Sequence, residues 1–263
     1  MTDPGAKKSD RPHMNIDPIV RLVDPFIPPG PRRRIFGAAN QLIARLDEGR
    51  GRMDARRLVT RIHQLGSYDS KAREARRELR GVYAEYTSTI STPKMAISLE
   101  LAAFLRVFSS LVRPTRVLDL GSGFSSFVFR LYEVECPQNV TVCSVDNSEG
   151  WLSKTVAFLS AHQMPTDFVF SWDEFQKRNH ESFDLILHDL GNFETRARTL
   201  ETVLTRVAPS GFVVLDDMHK FSYYRSVERV LREHGLTHFS LQCFTRDDIG
   251  RFSELVVNEK SRS

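Results

Sequence analysis

No stretch of this sequence approaches the roughly 20 consecutive apolar residues that a bilayer-spanning helix needs. The most apolar candidate, residues 99–112, is interrupted by Glu100 and Arg106, so no membrane partner is expected. The opening MTDPGAKKSDRPH holds no hydrophobic signal core, and the cytoplasm is the expected compartment. Cysteine is scarce. Cys136, Cys143 and Cys243 are odd in number and form no CxxC pair, which argues against a disulfide framework or a zinc site and for small reduced thiols.

What is present suits a soluble fold. The 263 residues are 41% apolar and 27% charged, enough for one large domain or a domain with an appendage. The net charge of +4 is uneven, because residues 1–85 carry 18 Lys/Arg against 11 Asp/Glu. A basic arm can mark a nucleic-acid or acidic partner. We read it instead as a solvated helical face, and expect residues 1–90 to form a helical cap acting as a dimer or substrate-lid element.

Residues 1–30, rich in Pro and charge and ending in PFIPPGP, read as an irregular tail. Residues 31–93 read as a helical extension. Pro31 to Glu48 places Ile35, Phe36, Leu42, Ile43 and Leu46 on one stripe. Asp54 is placed to cap a second helix, with Gly66 as its stop. Ser70 to Tyr86 is a third helix, and after TSTISTP a fourth spans about 94–112. Residues 94–263 then form the main domain. Strands are expected at 115–120, 140–145, 167–171, 183–188 and 211–216, alternating with helices near 125–134, 149–162, 173–179 and 193–207. Ser148 and Asn192 stand where caps belong. Such alternation means an α/β domain with a largely parallel sheet. The last strands, 238–244 and 252–258, are joined only by TRDDIGR, too short for a parallel crossover, and must be antiparallel neighbours.

Ligands of open α/β sheets bind beyond the C-terminal strand ends. VLDLGSGFSS (117–126) puts Gly121, Ser122 and Gly123 there, with Asp119 two residues before the first glycine. A carboxylate repels the pyrophosphate of a dinucleotide but attracts a cationic ligand; a strand-end cap is the alternative. Asp146, in SVDNS with Asn147 beside it, ends the next strand 23 residues beyond Gly123. There an acid accepts from both ribose hydroxyls, or simply caps the next helix. In SWDEF (171–175), Trp172 is placed to cover an adenine face or to join the core, and Asp173 to accept from the adenine amino group.

With these motifs, FDLILHD, GFVVLDD and the closing strand pair, the sequence resembles class I S-adenosylmethionine-dependent methyltransferases over roughly 94–258. The resemblance implies a Rossmann-like seven-stranded sheet whose last strand inserts antiparallel. It also implies that the Gly121–Gly123 loop holds the methionine moiety and Asp146 the ribose. One departure is Ser126, which replaces the usual third glycine.

Asp189, Asp216 and Asp217 end adjacent strands and form a possible oxygen set for Mg²⁺. This is similar to metal-dependent O-methyltransferases of the catechol type and of those acting on antibiotic sugars. Met218 stands where the catechol type has Asn, and Asn192 where it has a base. His219 or His188 would then serve as base, with Asp189 among the catalytic groups. Without a metal the acids would cap the loop and line the pocket. For the acceptor, an amine-methylating nucleic-acid enzyme would carry Asn/Asp-Pro-Pro-aromatic after strand four, where this chain has HDLG. Cytosine C5 enzymes need Pro-Cys, and Cys136-Pro137 is reversed. A small-molecule hydroxyl is therefore expected, with nucleic acid disfavoured. A dehydrogenase would explain the loop but not Asp119. A non-catalytic S-adenosylmethionine-binding module would need no His219.

Overall fold

The computed structural model describes residues 48–178 and 181–259. The expected tail, and all but the last residue of the expected helix at 31–48, lie outside them. Residues 48–61 are helical (α1) and are followed by a 3₁₀ turn at His63–Ser67. Asp54 lies inside α1 and caps nothing. Its carboxylate is buried, ion-pairs with Arg50 at 3.4 Å and accepts from the Ser240 amide at 3.2 Å. Helix α2 (Tyr68–Thr89) completes the extension, and α3 (Leu99–Val112) opens the main domain. Helix α3 starts later than its apolar pattern implied, because the Ser98 hydroxyl accepts from the Leu101 amide at 3.0 Å and fixes the first turn there.

The alternating region gives β1 (Arg116–Leu120), α4 (Phe124–Glu135), β2 (Thr141–Asp146), α5 (Glu149–Ala161), β3 (Val169–Ser171) and α6 (Trp172–Lys177). It continues with β4 (Phe183–His188), α7 (Phe193–Leu204), β5 (Val207–Leu215), α8 (Phe221–Glu233), β6 (Thr237–Ser240), α9 (Gln242–Thr245) and β7 (Glu254–Val257). Ser148 and Asn192 cap α5 and α7 through the Trp151 and Thr195 amides, at 3.4 and 2.9 Å. Helix α8 was not expected, and the strand expected at 238–244 ends at Ser240, with Gln242–Thr245 forming the short α9.

The seven strands form one sheet in the order β3-β2-β1-β4-β5-β7-β6, with β7 antiparallel to both its neighbours. The apolar strands are explained by burial on both faces. Successive residues of a strand point opposite ways. Val117, Leu185, Leu187 and Val214 face a core built with α2, α3 and α4, while Leu118, Ile186, Val213 and Leu215 face a core built with α7 and α8.

The described residues belong to one compact unit, Ala44–Ser263, and polar ties fasten the extension to the β6–β7 end. The Tyr68 hydroxyl donates to the Phe244 carbonyl at 3.0 Å, and the two rings meet edge to face at 4.8 Å. Arg50 reaches the buried Glu254 at 3.2 Å, and His238 Nδ1 lies 2.9 Å from the same carboxylate. Burial alone would raise the Glu254 pKa; Arg50 and His238 outweigh it and hold the carboxyl below its ordinary value. Removing one partner of such a pair strands a buried charge. Arg50→Ala should therefore cost on the order of 3 kcal/mol in chemical denaturation. A loss within about 0.5 kcal/mol, usual for a surface substitution, would mean that the tie does not hold the extension.

Candidate active site

The turn after β1 is built around two glycines with different tasks. Gly121 adopts φ +99°, and a Cβ on it would stand 2.3 Å from the Asp189 carbonyl oxygen. Only glycine lets the β1 and β4 loops approach this closely. At Gly123 a Cβ would meet the Tyr86 hydroxyl of α2 at 2.9 Å. Ser126 explains its own departure from glycine. Its hydroxyl accepts from the Gly123 amide at 3.2 Å and donates to Asp119 Oδ2 at 2.5 Å, tying the turn to the strand end beneath it. Asp119 is fully buried, and its Oδ1 meets no donor of normal hydrogen-bond geometry. Burial pushes this carboxyl up to about 7, tempered by the Ser126 and Ser125 hydroxyls.

Asp146 ends β2 beside this turn. Its Oδ1 accepts from the Ser148 amide at 2.8 Å, and the Ser122 hydroxyl stands 3.4 Å from Oδ2. It thus braces the α5 cap without itself being the cap. Burial raises its pKa, with the Ser148 and Ser122 hydrogen bonds opposing.

A cavity of about 740 Å³ opens over these strand ends. Gly121, Ser122, Gly123, Asp146 and Asn147 line it, as do Asp189, Asp217 and His219. Tyr86, Ser91 and 94–97 also line it, so the segment after α2 borders the glycine turn as a lid would. Arg251 holds that segment through the carbonyls of Pro93 at 2.9 Å, Lys94 at 3.2 Å and Ala96 at 2.9 Å.

Asp189, Asp216 and Asp217 do come together: each offers a carboxylate oxygen within 4.8 Å of the others. They are not alone. Arg196, in the first turn of α7, lies 2.5 Å from Asp189 Oδ1 and 3.0 Å from Asp217 Oδ2. Asp216 Oδ1 accepts from the Ser253 hydroxyl at 2.9 Å. Burial, then Asp217, pushes Asp216 up to about 6, and burial raises Asp189 well above the ordinary range. Burial also opposes the charge on Arg196, but Asp189 and Asp217 outweigh it and hold the guanidinium firmly cationic. Met218 is buried in the α8-side core and offers no ligand.

The two histidines separate. His219 lines the cavity with Nδ1 3.5 Å from Asp217 Oδ1, and burial lowers its pKa. His188 is absent from the cavity wall. It is fully buried with Nε2 3.0 Å from the Thr199 hydroxyl, and burial drives its pKa down to about 3. That contact marks it as a neutral core residue, which corrects its expected role as a base. Trp172 and Asp173 also miss the cavity. Ser171 and Glu174 form a capping box that commits SWDEF to helix, leaving Trp172 packed on Phe175 and Asp173 exposed. The tryptophan on the cavity wall is Trp151, in the first turn of α5.

A methyltransferase domain model matches residues 111–248 of the chain. No curated protein matches it. Among solved structures it is similar to the O-methyltransferase TomG of Streptomyces achromogenes, involved in tomaymycin synthesis and in complex with SAM. That match has 17% identity and a TM-score of 0.52, covering 74% of this chain and 90% of that one. An O-methyltransferase from Bacillus cereus in complex with SAH matches at 14% identity and a TM-score of 0.53, covering 70% and 90%. The SAH-bound methyltransferase PaMTH1 of Podospora anserina matches at 12% and 0.54, covering 70% and 88%. At these identities the likeness establishes the fold.

The state of Asp119 has a measurable consequence. An acid with a raised folded pKa binds more protons folded than unfolded, so its contribution to stability falls as pH rises from about 4 toward 7 and beyond. Asp119→Asn keeps an oxygen to accept from Ser126 and does not ionise. Its urea midpoint should therefore improve relative to wild type between pH 5 and pH 8. A difference that does not change with pH would show that Asp119 does not titrate in this window.

Proposed function

The chain belongs to the methyltransferase domain family, and from that premise we propose that it methylates a hydroxyl oxygen of a small molecule with S-adenosylmethionine as donor. The carrying observation is that one cavity joins the glycine turn and Asp146 to His219. The residues present fit this donor. Asp146 offers a carboxylate on the cavity wall, and the underpartnered Asp119 Oδ1 beneath the turn favours a cation over a phosphate. When bound, S-adenosylmethionine supplies a methyl group already activated by its positive sulfonium. What the chain contributes is placement and a proton acceptor. Asp146 accepts from the ribose hydroxyls. The Gly121–Gly123 turn would hold the methionine end. Tyr86 and the segment at 94–97 close the cavity from the extension and exclude water.

His219 is the proton acceptor in this reading. Its Nδ1 stands 3.5 Å from Asp217 Oδ1, and a proton carried there would leave Nε2 as the accepting nitrogen for the acceptor hydroxyl. Burial lowers its pKa against the pull of Asp217, which favours the neutral ring that a base requires. The cavity lining also includes Met95, Phe193 and Ile249, all large apolar side chains left exposed, together with Lys94 and Lys220. Such a lining supports an acceptor with an apolar body. Ten of the 18 Lys/Arg of residues 1–85 lie within the described residues, and of these Arg50, Arg52, Arg57 and Arg61 ion-pair with Glu254, Glu48, Asp54 and Glu259, which weakens the nucleic-acid alternative.

A divalent cation does not fit as the residues stand. Arg196 ion-pairs with one oxygen each of Asp189 and Asp217, and one oxygen of Asp216 accepts from Ser253, so a divalent cation would have to share these carboxylates with a guanidinium. No step here passes through a metal.

Calorimetry should show S-adenosylmethionine binding and no NAD binding. Asp146→Ala removes two charge-assisted hydrogen bonds of about 1.5–3 kcal/mol each, so affinity should fall at least tenfold. With a panel of hydroxylated aromatic and sugar acceptors, His219→Ala should slow S-adenosylhomocysteine release by about 10²–10⁴. NAD binding without S-adenosylmethionine binding would end the donor assignment. A His219→Ala rate within about twofold of wild type would end the base assignment.

A further inference from the structure

Three carboxylates within 4.8 Å of one another, at the ends of β4 and β5, need a counterion. The chain carries one. Asn192 caps α7, and the Arg196 amide donates to the Asn192 carbonyl at 2.9 Å, so Arg196 projects from the first helical turn beside the β4 end. Its side chain is 9% exposed. Nη2 lies 2.5 Å from Asp189 Oδ1 and also donates to the Gly191 carbonyl at 3.3 Å. Nη1 lies 3.0 Å from Asp217 Oδ2. The Phe193 ring flanks the guanidinium carbon at 5.3 Å. The group is thus held by two acids, a carbonyl and an aromatic face, not resting loosely over the cluster.

A divalent cation would need oxygens from these same carboxylates at about 2.0–2.6 Å. It would also stand within a few ångströms of a guanidinium that does not deprotonate in proteins. The two cations compete for one place. We propose that Arg196 is the built-in cation of this cluster and stands in place of a divalent metal, so that methyl transfer by this chain is metal-independent. The occupancy rests on geometry alone, whereas its consequence for turnover rests on the methyltransferase reading. Arg196 also fixes Asp217, whose other oxygen faces His219, so a single side chain sets both the charge of the acidic wall and the position of its carboxylate.

The test uses Mn²⁺ as the probe on the full chain, read by calorimetry and by the electron paramagnetic resonance of the free ion. Wild type should bind no Mn²⁺ at micromolar concentrations. Arg196→Met, of similar length and uncharged, frees the three acids and should bind one Mn²⁺ per chain at least tenfold more tightly than wild type. Arg196→Lys keeps a charge and should stay metal-free. Micromolar Mn²⁺ binding by wild type that is lost in Asp189→Asn would overturn the proposal, as would a folded Arg196→Met that gains no Mn²⁺ site. If Arg196→Met does not fold, the wild-type titration still decides. Turnover should be indifferent to EDTA, and its abolition by EDTA with recovery on adding Mg²⁺ also overturns the proposal. S-adenosylmethionine binding is measured on the same samples. Its failure removes the donor assignment and leaves the Mn²⁺ result standing.

Discussion

The close approach of Gly121 to the Asp189 carbonyl organises the site. With φ +99° and room for no side chain, Gly121 lets the β1 turn lie directly against the end of β4. Two ladder-like bonds complete the junction: the Gly121 amide donates to the Val145 carbonyl at 2.8 Å and the Asp189 amide to the Leu120 carbonyl at 2.7 Å. The ends of β2, β1 and β4 are thereby fixed in one row. Asp146, the glycine turn and Asp189 follow as neighbours, and the cavity that joins them exists because no side chain separates the turn from the acids.

Burying so many acids beside one another has an electrostatic cost, and the chain meets it differently at each place. At Asp119 burial wins, and the carboxyl is pushed up to about 7, moderated by the Ser126 and Ser125 hydroxyls and, less, by Arg130. At Asp189 and Asp217 the chain supplies a guanidinium. At Glu254, a buried acid at the opposite edge of the parallel strands, Arg50 and His238 keep the charge in place. The first of these acids is buried beneath the glycine turn with no ion pair to a cation among the described residues; the other two are paired internally.

Much of this was legible in the sequence because it depends on local rules. The alternation of apolar runs and caps located five parallel strands, the short link TRDDIGR required the antiparallel end, and Asp119, Asp146 and the two glycines followed from their positions at strand ends. What escaped depends on tertiary placement. Asp54 looks like a cap in sequence, but its partners Ser240 and Arg50 show that it is a buried tie. Trp172 and Trp151 both follow strand ends within a few residues, and only the capping box at Ser171–Glu174 decides that Trp172 turns into the core. His188 alternates with Leu187 along β4, which puts it against α7 and away from the cavity.

Arg196 is the most instructive omission. The resemblance placed a base at position 192, where the chain has Asn, and the position appeared empty of charge. In the structure Asn192 does different work: its side chain starts α7, and a helix beginning there carries residue 196 one turn further along the same face. The cation reaches the acids from that second position. Its signal was present as an arginine four residues beyond a helix cap and seven beyond the β4 aspartate. A one-turn displacement keeps the face of a helix while changing the residue number, so fixed-spacing comparison overlooks it whereas helical periodicity retains it. The same displacement changes the chemistry, because at 196 the group is a guanidinium with its outer nitrogens committed to carboxylates. It cannot serve as a proton acceptor, and in the proposed reaction that work falls to the neighbouring imidazole of His219.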